Sequence, residues 1–186
     1  MAADAAAADI ASLVLRVSIG GTLIAHGWNH AFGGGRIAGT AGWFESMGLR
    51  PGRLHALMAT GTELGAGVLL LLGLLTPLAA AGAVGTMGVA FITAHLRNGF
   101  FIFWPGQGYE YVVMIIMVAC GIGALGGGAA SLDRALGIAG DLSGWTGLAV
   151  TALAGGAGAA LLLAVFWRPA RRPEEQSAQD AVASAE

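Results

Sequence analysis

Residues 26–30 read HGWNH at the end of an otherwise apolar run. Two imidazoles four residues apart share one helix face, and imidazole is the side chain that changes charge near neutral pH. Glu63 lies inside a second apolar run, His95 closes a third and Glu110 opens a fourth. A carboxyl and an imidazole across a dry gap can hold or pass a proton, or bind a polar headgroup. His26, His30, Glu63, His95 and Glu110 are therefore the candidate ligand or proton site. Glu63 is flanked on its helix by the small residues Ala59, Thr60, Ala66 and Gly67, so it should face a bundle rather than lipid. His26 or His95 is its expected partner. The spacing includes neither H-E-x-x-H nor Glu-x-x-His, so no metal site is assigned.

Something must hold these groups in place. A helix needs about 20 apolar residues to cross the hydrocarbon, and five segments qualify: 10–31, 56–75, 78–96, 109–126 and 145–167. Thr76-Pro77 makes the second and third antiparallel neighbours. The fifth is flanked by Trp145 and Trp167, as interface anchors would be. It carries no ionisable residue and reads as an appendage to a four-helix unit. The expected fold is an all-α integral membrane protein, a four-helix transmembrane bundle plus a fifth C-terminal helix. Its divisions are 10–137 for the bundle, 138–167 for a loop and the added helix, and 168–186 for a disordered cytoplasmic tail. Residues 1–9 read as a frayed lead into an uncleaved first helix. The 24-residue link before the second helix includes an apolar stretch, WFESMGL, expected at the surface. Gly61 and Gly65 around Glu63, and Gly155 and Gly158, are the expected close-contact positions between helices.

Composition fits this frame and removes other classes. Of 186 residues 56% are hydrophobic and 11% charged, and mean hydropathy is +0.73. No nucleic-acid motif or concentrated basic patch is present. Cys120 is the one cysteine, which excludes a thiol–disulfide relay within this chain. No flavin, haem or iron–sulfur motif occurs, so electrons for any redox chemistry would come from a partner.

Depth gathers the polar residues. His26, His30, His55, Glu63, His95 and Glu110 all fall toward the side reached by the first helix's C-terminus. Excluding Arg16, within the first helix, that side receives Arg36, Arg50, Arg53, Arg97, Arg168, Arg171 and Arg172; the other receives only Arg134. The arginine bias predicts the His/Glu side to be cytoplasmic, with the N-terminus outside and the C-terminus inside. Arg16 on the opposite side is expected to form a structural ion pair with Asp133, with Asp9 as second choice. Phe100, Phe101, Phe103 and Trp104, between turn signals Asn98-Gly99 and Pro105-Gly106, suit an interfacial or re-entrant cap.

HGWNHAFG (26–33), TELGAGVLLLLGLLTPLAA (62–80), HLRNGFF (95–101), GYEY (108–111) and SLD (131–133) occur in an order and spacing that resemble the DoxX family of small multi-pass bacterial membrane proteins. The resemblance covers roughly 10–137. It implies a four-helix membrane bundle in a bacterial cell membrane. The family's namesake is associated with a membrane thiosulfate:quinone oxidoreductase, and relatives with oxidative-stress and sulfur-related membrane complexes. Carried over by position, the motif residues are Arg16, His26, Gly27, Glu63, His95, Asn98, Gly99, Glu110 and Asp133. The family often has Lys where this chain has His30.

These readings favour a membrane subunit of a quinone-linked or oxidative-stress complex. His26 or His95 would donate to a quinone carbonyl and Glu63 or Glu110 would deliver protons. Asn98, Phe101 and Trp104 would support the site, with the 100–104 aromatics covering the ring. Quinone is the expected cofactor and a haem between His26 and His95 the lesser one. The partners are the bilayer and soluble redox proteins, with an oligomer left open. The alternatives are a non-enzymatic scaffold recruiting redox or stress proteins through the tail and the 32–55 link, and a small-molecule carrier coupled to protons at Glu63.

Overall fold

The computed structural model describes residues 2–169. Of the expected tail, residues 170–186 lie outside the described residues. Helix α1 runs Ala2–Phe32, α2 Arg36–Ser46, α3 Gly52–Leu72, α4 Thr76–Ala90, α5 Glu110–Leu125, α6 Leu132–Ala135 and α7 Gly144–Phe166. Helix α4 continues through a π turn, Phe91–His95, and a 3-10 turn, Leu96–Asn98. Among the described residues, four helical stretches are long and apolar enough to cross a membrane: Ala3–Phe32, Gly52–Leu72, Thr76–Asn98 and Gly144–Phe166. Helix α5 is shorter but equally apolar. The chain is an all-helical multi-pass membrane protein. The N-terminal residues from Ala2 onward are part of α1 rather than a frayed lead.

The α3–α4 turn shows how sequence dictates shape. Gly73 ends α3 in the left-handed conformation (φ 63°), where glycine avoids a Cβ penalty. Pro77 opens α4 at a position where its missing N–H costs nothing. Leu75 also takes a positive φ of 48°, and its N–H is held by Asp133 Oδ1 at 2.7 Å.

Helices approach where side chains vanish. A Cβ on Gly20 or on Gly67 would come within 2.8 Å of the other's carbonyl oxygen, which fixes α1 against α3. Gly155 lets α7 close on Val84 and Ala81 of α4. Gly61, Gly65 and Gly158 do not serve as expected: a Cβ on any of them would meet nothing within 4 Å. The surface they occupy is open.

The reading of the fifth helix as an appendage is overturned. Helix α7 makes the largest helix–helix interface of the chain, with α4, and also packs on α5. Thr151, fully buried in α7, donates to Pro77 O at 3.0 Å. At its end Trp167 Nε1 donates to Met47 O at 2.9 Å and Arg168 N to Gly48 O at 2.8 Å. The 32–55 link is thus not a loose surface stretch. It folds as α2, buries Phe44 and is tied to the C-terminal end of α7.

Candidate functional site

The two ends of the bundle treat their polar groups differently. At the end holding the α1 N-terminus, Ser12, Arg16, Thr76 and Asp133 are each fully buried. Asp133 accepts from Leu75 N, Thr76 N and Thr76 Oγ1 at 2.7, 2.9 and 2.6 Å. Arg16 donates to Leu70 O at 3.1 Å and Ala130 O at 2.7 Å, leaving only Nε without a partner. Ser12 donates to Gly126 O at 2.6 Å, and Asp9 accepts from Ala129 N at 2.9 Å. The expected Arg16–Asp133 ion pair takes another form. Backbone groups satisfy each residue, and the two charges act on one another without direct contact. Backbone carbonyls and N–H groups at helix ends are preoriented partners, whereas a direct pair would leave those groups orphaned.

The opposite end holds a cavity of about 850 Å³. All four histidines, His26, His30, His55 and His95, line it together with Glu63 and Tyr111. Glu63 is 2% exposed. Its Oε2 lies 3.1 Å from His30 Nδ1, an ion-pair distance without hydrogen-bond alignment. His30, one turn beyond His26, is thus the partner of Glu63, in place of the expected His26 or His95. Helix α1 reaches the carboxyl with its last full turn, because the Gly20–Gly67 approach brings α1 close to α3.

The other histidines are held by rings. Tyr111 stacks on His26, with centroids 6.4 Å apart, and meets His95 edge-on at 6.2 Å, both within the usual aromatic range. That ring contacts both imidazoles, so a haem bridging His26 and His95 would have to displace it. His95 Nδ1 lies 2.8 Å from Gln107 O. His95 sits in the π turn, and Thr93, Ala94 and His95 all line the cavity there. Single π turns inside α-helices occur frequently at functional sites. His55, placed by its sequence position just outside the second helix, is inside α3 and 3% exposed. Its ring meets Phe166 edge-on at 5.0 Å, and neither ring nitrogen has a hydrogen-bond partner.

Glu110, Asn98, Phe101 and Trp104 do not line the cavity. Glu110 Oε2 accepts from Ile102 N at 3.2 Å, and Asn98 Nδ2 donates to Ala94 O at 2.8 Å and to Gly106 O. Both brace the 99–109 loop. Phe101 stacks on Phe103 and meets Trp104 edge-on, in a cluster of the loop's own rings. From this loop only Gly106 and Gln107 reach the cavity. Sequence reasoning did not place Tyr111, Phe44 or the α7 face Ala154, Ala159 and Leu162 at the site, and it read Gly155 and Gly158 only as helix-contact positions. The signal that could have found Tyr111 is its place in the GYEY stretch beside Glu110, about 100° round the same helix start. Among the described residues no group of three or more His, Cys, Asp or Glu side chains could hold a metal ion.

Residues 11–96 match the family model described as DoxX. No curated protein and no solved structure matches the chain. The matched segment includes α1 through the π turn of α4, and with them His26, His30, His55, Glu63 and His95. Over residues 11–96, just under half of its length, the chain is thus similar to the DoxX family.

Proposed function

We propose that the chain is the membrane-embedded, quinone-binding subunit of a redox complex in a bacterial cell membrane, with the cavity as its headgroup and proton site. The observation that carries this reading is the contrast between the two ends. One buries polar groups and satisfies all of them but Arg16 Nε; the other buries Glu63 and His55 against a cavity and leaves Glu63 Oε2, His30 Nδ1 and both His55 nitrogens without hydrogen bonds. Unsatisfied buried polar groups each cost about 1–3 kcal/mol. A carboxylate in the bilayer adds about 3 kcal/mol on insertion scales. Such cost is retained where a ligand or proton uses it.

The lining suits a quinone. Imidazole N–H groups can donate to ring carbonyls, while Tyr111, Phe44, Met58 and Met87 offer flat or pliant apolar contact. A bound quinone accepts electrons and protons together. The electrons would come from a partner protein. Glu63 and His30, 3.1 Å apart, would share and deliver the proton, and His26 and His95, positioned by Tyr111, would orient the headgroup. The arginine bias supports a cytoplasmic location for this end, where a soluble partner would dock.

The test is equilibrium quinone binding to the full chain in lipid nanodiscs. Wild type should bind, and Glu63→Gln should bind at least about tenfold more weakly, the scale of one lost charge-assisted hydrogen bond. Glu110→Gln, outside the cavity, should bind as wild type does. Equal binding by Glu63→Gln and wild type would contradict the assignment.

A further inference from the structure

The cavity does not end at the polar cluster. Its lining continues along α4 through Ala90, Val89, Thr86, Gly85, Gly82 and Ala81 to Leu78, near the far end of that helix. At 1.5 Å per residue, the stripe from His95 to Leu78 runs roughly 25 Å, most of the ~30 Å hydrocarbon thickness. One wall is the face of α3 bearing His55, Met58, Ala59, Thr62 and Glu63; the other is the α7 face from Leu162 back to Ala154. Helices α3 and α7 each pack on α4, so α4 is the floor of a groove between them.

The rim of this groove is open. Met58 and Leu78 are 42% and 50% exposed, and a Cβ built on Gly158 meets no atom within 4 Å. In a membrane-spanning bundle, that opening faces lipid. A ligand held only by its headgroup would need the polar end alone. Here the same cavity joins buried His55, with neither ring nitrogen hydrogen-bonded, and the buried Glu63–His30 pair to a long apolar channel.

We infer that the occupant is a membrane-resident quinone with a long isoprenoid chain, whose headgroup sits among the histidines and Glu63 and whose chain lies along α4 between α3 and α7. This rests on the quinone reading of the polar cluster and adds the substrate class and route. The ligand enters sideways from the bilayer rather than from water. Lipid tails are as apolar as the groove, so little hydrophobic gain drives the chain in. Fit of the chain against the open α7 positions Ala154 and Gly158 supplies the preference, and filling that space should remove it.

The experiment uses the full chain in nanodiscs, two benzoquinones with the same ring, one bearing a long isoprenoid chain and one a methyl group, and a long-chain fatty alcohol. Gly158→Leu and, separately, Ala154→Leu put a side chain into the groove; both positions are exposed in α7, and leucine is a better helix former than glycine. The thermal midpoint of each variant is recorded to establish folding. The expected result is that both variants bind the long-chain quinone roughly tenfold more weakly, the scale of overpacking a filled site, while methyl-quinone binding is unchanged. Unchanged long-chain binding in both folded variants overturns the groove and leaves the headgroup reading standing. If neither quinone binds wild type but the fatty alcohol binds and is excluded by Gly158→Leu, the quinone reading falls and the groove stands, with its occupant corrected.

Discussion

At the scale of the residue, what separates structure from function is whether a buried polar atom is satisfied. Asp133 is a structural anchor, since its carboxylate accepts three hydrogen bonds and holds Leu75 in a left-handed conformation. Asp133→Ala would orphan two backbone N–H groups and a hydroxyl in a buried turn. A loss of about 3 kcal/mol or more is expected, read as a lower thermal midpoint and reduced membrane yield. Arg16→Leu should act in the same direction. Normal levels with selectively lost quinone binding would instead place Arg16 in the functional site. The types of these residues were legible in the sequence: His26, Glu63 and His95 stand out because an apolar helix does not need them. Their pairings were not, because residue spacing fixes a helix face but not the rotation of one helix against another. Glu63 meets His30 rather than His26 because α1 is set against α3 by the close approaches of Gly20 to Gly67 and of Gly27 to Leu64.

At the scale of the element, glycine has two uses in this chain, and the sequence does not tell them apart. Gly20, Gly67 and Gly155 allow backbones to approach, whereas Gly61, Gly65 and Gly158 face open space. Gly67→Val should therefore destabilise by about 1–3 kcal/mol, since its side chain would run into Ile24 and the Gly20 carbonyl. Gly61→Ala should stabilise α3 by up to about 1 kcal/mol through helix propensity. Thermal unfolding of the two variants checks the contrast; equal destabilisation would mean that Gly61 is a packing position after all. The number and order of apolar helices were readable because 20-residue apolar runs are a strong pattern. The role of α7 was not. A helix without ionisable residues looks peripheral, but its small face is what lets it close on α4 and form a wall of the cavity. Helix α2 was hidden for a different reason: at 11 residues, with Gly39 and Gly42 inside it, it is too short to stand out as an apolar run, and its C-terminal end is held by contacts from residues far along the chain.

At the scale of the whole molecule, the chain has a closed polar end and an open one, joined by a bundle with a lipid-facing groove. Arg36, Arg50, Arg53 and Arg97 sit in the helix ends and links around the open end, consistent in sign with a cytoplasmic cavity mouth. A reporter active only in the cytoplasm should therefore give signal when fused after Glu186. Activity restricted to a reporter that works only outside would reverse the orientation and put the proton site on the other side of the membrane. The position of the ligand decides between the cavity and every other surface of the bundle. Its most direct test is photo-crosslinking of a quinone bearing a photoreactive group on its ring to the full chain in nanodiscs, followed by mapping of the labelled residues. The account predicts labels on cavity residues such as Met58, Met87 and Tyr111, competed away by unlabelled quinone and reduced in Glu63→Gln. Competable labels confined to the 100–104 aromatics or to the lipid-facing side of α1 would contradict it.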